Sequence, residues 1–356
     1  MVLKVTVGVI ARNEESHIKE VINSLIKQSF DHNDFEIILV DGNSTDNTRE
    51  YADKLLSDSK ISYKILNEKD FGFYGPCFAR NIVVKNSSEE SKYIAYIDAD
   101  CVADKNWLKR LYEKIKNSDK SIAGAGGARY IAKTNNKKEI IINSVLTSFI
   151  AMGGNPAFSK RKIKYIKSIA NYNAIYKKDI LKKNPYDNSL IISDDVDLNF
   201  RLGKMGYKFL YVSDAIVYHH ETNSIKQFAK DMIKYGRNIS NVIKKHKSCI
   251  RFYVPLTVLF LFGPIMSLIW IIIAKMTFRG VLSNLVFIPA AVYAIYIIFL
   301  IAIFFEIVIR TKDFARSLFV FIMIPMQHFC YGWGVLTGVC SKRNPFERKG
   351  FIKKSK

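Results

Sequence analysis

Cysteine is scarce in this 356-residue chain: Cys77, Cys101, Cys249, Cys330 and Cys340 stand without any repeated spacing. That excludes a disulfide-stapled scaffold or a zinc ribbon and fits a reducing compartment. No Gly-x-Gly-x-x-Gly follows the first strand-like segment and no Walker loop occurs, so dinucleotide-binding and P-loop readings lose their support. A signal-peptide pattern is also missing, and the first domain is therefore expected to stay in the cytosol. Acidic residues are few, 32 against 54 lysines and arginines, for a net charge of +22. Such an excess suits nucleic acid, but no nucleic-acid motif accompanies it.

Charge and apolarity are instead unevenly distributed. Up to about Arg251 the chain mixes the two as globular proteins do. Beyond it, Phe252–Ala274, Gly280–Phe305 and Ser317–Ser341 contain no Asp, Glu, Lys or Arg. Each run exceeds the ~20 residues a helix needs to cross ~30 Å of hydrocarbon, and buried core helices are seldom so long and apolar on every side. Lys244, Lys245, Lys247 and Arg251 precede the runs; Lys342, Arg343, Arg348, Lys349, Lys353, Lys354 and Lys356 follow them. Flanking basic clusters match the positive-inside bias and anionic headgroups, so membrane lipids, and no nucleic acid, are the expected partners of this charge. Three crossings, however, would put the basic tail opposite a cytosolic first domain, against that bias. Either one run is re-entrant or interfacial, or the bias fails; Pro264 and Pro289 inside two of the runs make kinks plausible. The predicted organisation is a first domain over 1–223, a basic amphipathic helix over 224–251, a membrane domain over 252–341 and a basic tail over 342–356.

Within the first domain, Lys4–Ile10 reads as a buried strand and Glu14–Lys27 as a helix with Ile18, Val21, Ile22, Leu25 and Ile26 on one stripe. Phe35–Val40 is a second strand, and Ser44 or Thr45 is expected to cap the helix that runs on through Leu56. Ile61–Leu66 and Tyr93–Ile97 are further strands, with Phe78–Val84 in a helix between them. Strands alternating with helices predict an α/β fold with a mostly parallel sheet, binding its ligands beyond the strands' C-terminal ends. Gly124-Ala125-Gly126-Gly127 and Gly153-Gly154-Asn155-Pro156 are turn-rich, and Ser193-Asp194-Asp195 opens an acidic helix. Tyr207–Val212 and Ala215–Tyr218 read as two short strands, the second ending at His219-His220. Ser224–His246 reads as a basic helix with Phe228, Met232, Tyr235 and Ile239 on one side, a spacing suited to a membrane surface.

The chemistry concentrates at Tyr96-Ile97-Asp98-Ala99-Asp100. Carboxylates two apart on a strand share a face, and two hard oxygen donors suit Mg2+ or Mn2+ holding a diphosphate. Asp41 ends a neighbouring strand at the same edge.

Taken in order, Val9-Ile10-Ala11-Arg12-Asn13-Glu14-Glu15, Val40-Asp41-Gly42-Asn43-Ser44-Thr45-Asp46-Asn47-Thr48, Ala79-Arg80-Asn81, the Asp98-Ala99-Asp100 strand and Ser193-Asp194-Asp195 resemble the motifs of family 2 glycosyltransferases. The resemblance covers about residues 4–240, and the apolar runs resemble the family's membrane-bound branch. It implies a GT-A fold, a Rossmann-like catalytic domain followed by an interfacial helix and transmembrane helices, with a nucleotide-sugar donor and Mn2+ or Mg2+ as cofactor. It places Ala11, Arg12, Glu14, Asp41, Arg80 and Asp98 around the donor: Asp41 at the nucleobase edge, Arg80 at the diphosphate or sugar, and Asp98 at the ribose or a metal-bound water. Arg12 stands where similar enzymes often stack an aromatic on the base, and a planar guanidinium stacks similarly. Asp100 and His219 are the implied metal ligands, with His219 favoured over His220 on register. Asp195 takes the role of general base. Asp194, one methylene shorter than the family's usual Glu, and Arg237 are expected at the acceptor or diphosphate.

The expected activity is a metal-dependent inverting glycosyltransferase at the cytosolic face of the cell membrane, with a multi-pass anchor. It would move a hexose from a UDP- or GDP-sugar to a lipid-linked acceptor, either a polyprenyl phosphate or a lipid-linked glycan. A polysaccharide synthase is the alternative within the class, although three apolar runs give little material for a polymer channel. Outside it stand a nucleotidyltransferase and an inactive membrane scaffold. His17, His32, His246 and His328 are expected at the surface or in packing, Asp197 at a helix start, and Glu306 reaching the membrane interface.

Overall fold

The computed structural model describes residues 3–72, 75–151, 165–190 and 194–341. Gly153-Gly154-Asn155-Pro156, Ser193 and the basic tail lie outside the described residues. Those described form two compact units, residues 3–134 with 165–220 and residues 135–151 with 221–341.

The first unit is built on one sheet. Strands β1 (Val5–Ala11), β2 (Phe35–Asp41), β3 (Ser62–Asn67) and β4 (Tyr93–Asp98) pair in parallel in the order β3-β2-β1-β4. β1 and β2 are almost wholly buried, as parallel strands covered on both faces must be. Helices α1 (Ile18–Ile26), α2 (Thr48–Ser57) and α3 (Pro76–Asn86) make the crossovers, and α1 buries Ile18, Val21, Ile22 and Leu25 in the core. Beyond β4 the sheet becomes mixed. Strands β5 (Cys101–Ala103), β6 (Ile122–Ile131), β7 (Tyr165–Ile166), β8 (Ala174–Lys177) and β9 (Lys208–His219) extend it as β4-β8-β6-β9-β5, with β7 on β9. β8 runs antiparallel to β4 and β6, and β5 antiparallel to β9. Helices α4 (Trp107–Lys116), α6 (Lys178–Lys183) and α7 (Asp194–Lys204) complete the unit, while α5 (Lys137–Leu146) belongs to the other.

Three local features depart from the sequence reading. Gly124-Ala125-Gly126-Gly127, read as turn-rich, lies inside β6, paired with β8 and β9. The segments at 207–212 and 215–218 are one strand, β9, which absorbs the interruption as a slip in register against β6 between Gly127 and Ala128. Neither Ser44 nor Thr45 caps α2, because both are engaged with Asn13; Asp46 Oδ1 accepts the Thr48 N–H instead, at 3.1 Å.

The second unit contains α5, α8 (Ile225–Lys245), α9 (Tyr253–Thr277), α10 (Ile288–Thr311) and α11 (Phe314–Cys340). Tyr253–Thr277, Asn284–Thr311 and Phe314–Cys340 are long and apolar enough to cross a membrane. Pro264 lies inside α9, but Pro289 sits in the first turn of α10, where a missing N–H costs nothing. Pro325, inside α11, is the helix proline the sequence reading passed over. On α8, Phe228, Met232 and Ile239 are buried as expected, whereas Tyr235 is exposed. Gly236 and Ser240 share the buried side because α8 and α11 touch backbone to backbone. A Cβ at Gly236 would overlap the Tyr331 carbonyl, and one at Gly334 the Ile233 carbonyl. Protein therefore covers much of the apolar side of α8. Glu306 also has a structural partner: it accepts from Ser148 Oγ (2.7 Å), Phe149 N (2.7 Å) and Ile150 N (3.0 Å), holding the chain that leaves α5.

Candidate active site

β1 and β2 end side by side, with Ala11 opposite Asp41, and the loops beyond them are laced together. Asn13, at φ 55°, donates its N–H to Ser44 Oγ and accepts from Thr45 N through Oδ1, both at 2.9 Å. Glu15 Oε2 accepts from Asn47 N at 3.1 Å, and Glu14 N donates to Thr48 Oγ1 at 2.8 Å. Much of this motif therefore fastens two loops. Ala11 is buried and its carbonyl accepts from Gly42 N (2.8 Å), so it floors the loop. Arg12 is exposed, its stem lying over Gly42. Asp41 is buried, accepting from Ser44 N (3.1 Å) and Asn67 Nδ2 (3.4 Å).

Beside them lies Glu68, buried, with both carboxylate oxygens accepting from Gly75 N at 3.1 and 3.2 Å. Burial pushes Glu68 up to about 7; the Gly75 N–H and Arg12 oppose this and Asp41 adds to it. The sequence reading missed Asn67 and Glu68, although they stand at the end of β3, on the edge that pointed to Asp41. An open groove of about 410 Å3 begins at Asp41 and Asn67 and is lined further by residues of α2.

The Asp-x-Asp pair does not sit on one strand. β4 stops at Asp98, and Ala99-Asp100 is a turn into β5, so the two carboxylates are aimed differently. Asp100 Oδ1 lies 3.5 Å from His219 Nε2, because Cys101 pairs with His219 across β5 and β9. Ligand atoms of Asp100, Cys101 and His219 all lie within 4.8 Å of one another. His219 Nδ1 lies 2.7 Å from the His220 carbonyl; a carbonyl only accepts, so Nδ1 carries a proton and Nε2 is the ring nitrogen turned toward Asp100. An oxygen and an imidazole nitrogen so placed fit Mn2+ or Mg2+, whereas the Cys101 thiol, pushed far above its usual range by burial and by Asp100, is a soft neighbour that such ions do not need.

The structure also separates the two histidines. His220 donates its backbone N–H to the Asp100 carbonyl (2.9 Å), while its ring lies 3.0 Å from Glu20 Oε2 and stacks on His17 at 4.6 Å. His17, expected at the surface or in packing, thus belongs to the surroundings of Asp100, and Glu14 turns its carboxylate to His17 Nδ1 at 3.1 Å. Burial raises the Asp100 carboxyl, with Glu14 adding to the shift and Arg129 and His17 opposing it.

Asp98 faces the other way, toward α3 and α7. Arg80 is buried, with Nη2 3.1 Å from Asp98 and Nη1 2.7 Å from Asp194. Its guanidinium ties Asp98 to the start of α7, a bracing role the sequence reading did not foresee. Asp194 is buried between Arg80 and Asn171, whose Nδ2 donates to it at 2.7 Å. Tyr186 and Tyr176 in turn donate to Asn171 Oδ1 at 3.0 and 3.2 Å. Asn171 lies in a loop without periodic pattern, so the sequence offered no signal for it. Asp195 is half-buried and accepts from Val196 N at 2.7 Å. Burial raises it to about 7, with Asp194 and Asp98 adding and Arg80 opposing. Asp197 pairs with Arg201 at 2.8 Å on α7. Arg237 is exposed on α8, in the second unit.

The family model described as Glycosyl transferase family 2 matches residues 6–184, just over half of the chain. A dolichyl N-acetyl-alpha-D-glucosaminyl phosphate 3-beta-D-2,3-diacetamido-2,3-dideoxy-beta-D-glucuronosyltransferase from Methanococcus voltae is 29% identical over 269 residues, covering 73% of this chain and 78% of that protein. Glycosyltransferase AglE from Haloferax volcanii is 24% identical over 208 residues, 58% of this chain and 64% of the relative. Among solved structures, the mannosyltransferase PcManGT from Pyrobaculum calidifontis, in complex with GDP-Man and Mn2+, has the same fold: TM-score 0.56 at 14% identity, over 96% of this chain and 89% of that one.

Proposed function

The chain belongs to glycosyl transferase family 2, whose members here share a GT-A fold and transfer sugar from a nucleotide sugar, and from that premise we propose a metal-dependent inverting hexosyltransferase. Its donor is a UDP- or GDP-sugar, and its acceptor is lipid-linked, a polyprenyl phosphate or a lipid-linked glycan, at the cytosolic face of a membrane. One observation carries this reading: Asp100 Oδ1 lies 3.5 Å from His219 Nε2, and the Asp98 carboxyl, whose ionisation both of them influence, in turn influences Asp195.

Asp41, Glu68 and Arg12 form the nucleobase end of the donor site, with Asp98 at the ribose. Asp100 and His219 hold the cation, which supplies electrostatic stabilisation where charge develops on the departing diphosphate. Asp195, with a carboxyl poised near neutrality, takes the proton of an acceptor hydroxyl on the opposite face of the sugar, as inversion requires. A phosphate acceptor needs little base assistance, and Asp195 then orients it. Arg80 and Asp194 act through others: the guanidinium fixes both Asp98 and the start of α7, and with it Asp195. Three candidate membrane helices, and the dolichyl-phosphate-linked sugar in the name of the Methanococcus voltae relative, support the lipid-linked acceptor.

The test is incubation of the purified chain with radiolabelled nucleotide sugars and a membrane lipid extract. Label entering the lipid fraction, lost in Asp100→Ala and Asp195→Asn, is the expected result. Release of pyrophosphate would assign a nucleotidyltransferase, and no turnover with any donor would leave a scaffold.

A further inference from the structure

Beside the proposed cation centre stands a side chain that the reaction leaves unused. Cys101 and His219 are direct partners across the antiparallel pair β5–β9, so their side chains leave the same face of the sheet. Asp100 occupies the turn just before, and its carbonyl accepts from His220 N at 2.9 Å, fastening that turn to the end of β9. Its carboxylate therefore comes close to both neighbours: Oδ1 lies 3.5 Å from His219 Nε2 and 3.7 Å from Cys101 Sγ. Among the described residues no other trio of His, Cys, Asp and Glu side chains gathers so closely. Cys101 is buried, whereas Asp100 and His219 are partly exposed and give an ion its way in.

These separations favour one class of ion. With arms of about 2.3 Å to sulfur and about 2.0–2.1 Å to nitrogen or oxygen, a tetrahedral Zn2+ spaces its ligand atoms about 3.3–3.6 Å apart. An octahedral Mg2+, with arms of about 2.1 Å, sets neighbouring ligands about 3.0 Å apart. The trio as it stands, at 3.5 and 3.7 Å, suits the tetrahedral ion. Mn2+ on Asp100 and His219 alone needs only a small closing movement of the part-exposed carboxylate. Charge agrees with distance. A carboxylate, a thiolate and a neutral imidazole bring two negative charges, the number that balances the ion. Asp100 and His219 by themselves bring one and leave the rest to a donor diphosphate. Ligand softness agrees as well, since thiolate and imidazole together hold Zn2+ and Co2+ more tightly than Mn2+.

We propose that Asp100, Cys101 and His219 form a three-ligand site for a thiophilic divalent cation, Zn2+ before others, and that Zn2+ held there inhibits the transferase. This rests on the reading of Asp100 and His219 as the cation centre. On binding, the Cys101 S–H bond gives way to an S–Zn bond and the proton passes to water. Three protein ligands leave a tetrahedral ion one open position, whereas an octahedral Mn2+ on two protein ligands keeps four. One position cannot take two diphosphate oxygens. Zn2+ therefore excludes Mn2+ without doing for the donor what Mn2+ does.

The full-length chain in detergent, stripped with a chelator, is titrated with Co2+, which stands in for Zn2+ and reports its ligands by colour. The background carries Cys249→Ser, Cys330→Ser and Cys340→Ser, so that of the part-exposed or exposed thiols none remains. A sulfur-to-cobalt charge-transfer band in the near ultraviolet, with the strong visible bands of a tetrahedral ion, is the expected result. Adding Cys101→Ala should remove the charge-transfer band. Zn2+ affinity, read by displacement of Mn2+ in electron paramagnetic resonance, should fall more than about hundredfold, beyond what a partner outside the ligand sphere contributes. The Kd for Mn2+ should stay unchanged, which also shows that the variant folds. Should it not fold, zinc X-ray absorption of the background chain decides: one sulfur at about 2.3 Å supports the site, and a shell of nitrogen and oxygen alone overturns it. Affinity for UDP or GDP should be at least about tenfold weaker with Zn2+ than with Mn2+, the worth of one lost charged contact; equal affinity would overturn the inhibition. Co2+ bound without the sulfur band, or a band that survives Cys101→Ala, would overturn the proposal and leave the cation centre standing. Mn2+ bound as tightly by Asp100→Ala would show the centre itself to be misplaced, and the proposal falls with it.

Discussion

Asp195 is raised to about 7 chiefly by burial, with the Asp194 and Asp98 carboxylates adding to it. A base held there is half ionised near neutrality. With the donor and Mn2+ saturating, kcat/KM for an acceptor hydroxyl should rise about tenfold per pH unit below about 7 and level off above it. Asp195→Asn should lower kcat by about 10²- to 10⁴-fold and remove that acidic limb while leaving the donor's Kd unchanged. A loss confined to donor binding would make Asp195 a donor ligand. His220 poses a subtler question, because it touches the Asp100–His219 pair only through its backbone. Glu20 and His17 hold its ring, so they set the backbone beside Asp100 and His219, the proposed ligands. Glu20→Gln should therefore weaken Mn2+ binding, read by electron paramagnetic resonance, by about tenfold, the lower end of what outer partners of ligands contribute. An unchanged Kd for Mn2+ would reduce the Glu20–His220 contact to a surface pair.

Elements were legible where burial imposes a period. β1 and β2 are continuous apolar runs, and α1 repeats its stripe every third or fourth residue, so both could be placed within a few residues of where they stand. What a pattern omits is the partner. The stripe on α8 announces an apolar side and cannot say whether lipid or α11 will cover it. Arg80 illustrates the same gap at the site: its motif signals importance, but only the fold brings Asp194 against it and reveals its bracing role. Asp98 and Asp100 were foreseen as a pair and found divided, because the strand ends at Asp98 and a turn redirects its neighbour. The α8–α11 contact makes its own prediction. Gly334→Ala forces a methyl into the Ile233 carbonyl, with backbone on both sides and nothing flexible to yield. It should cost about 1–3 kcal/mol, seen as a lower Tm in detergent. Gly263→Ala meets only the Tyr293 hydroxyl at 3.2 Å, a side-chain tip that turns aside, and should cost much less.

Over the whole molecule, a chain of net charge +22 keeps a cluster of carboxylates whose ionisation it disfavours. Burial raises Asp98, Asp100 and Asp195, and it raises Glu68 beyond β3 as well. Each binds its proton more tightly folded than unfolded, where carboxyls titrate near about 4. Between about pH 4 and 7 the native state therefore holds more protons than the unfolded chain, and this contribution to stability falls as pH rises, levelling above about 7. After treatment with a chelator, the Tm of the first unit's transition should be higher near pH 5 than near pH 7.5. In the proposed site Mn2+ with a nucleoside diphosphate would engage the ionised form of Asp100, so it should stabilise more at the higher pH and narrow or reverse the slope. Calorimetry at several pH values, with and without the cation, reads both. A chelated protein that becomes steadily more stable from pH 5 to 7.5 would mean that other groups outweigh this cluster, and a cation effect independent of pH would mean that Asp100 is not where it binds.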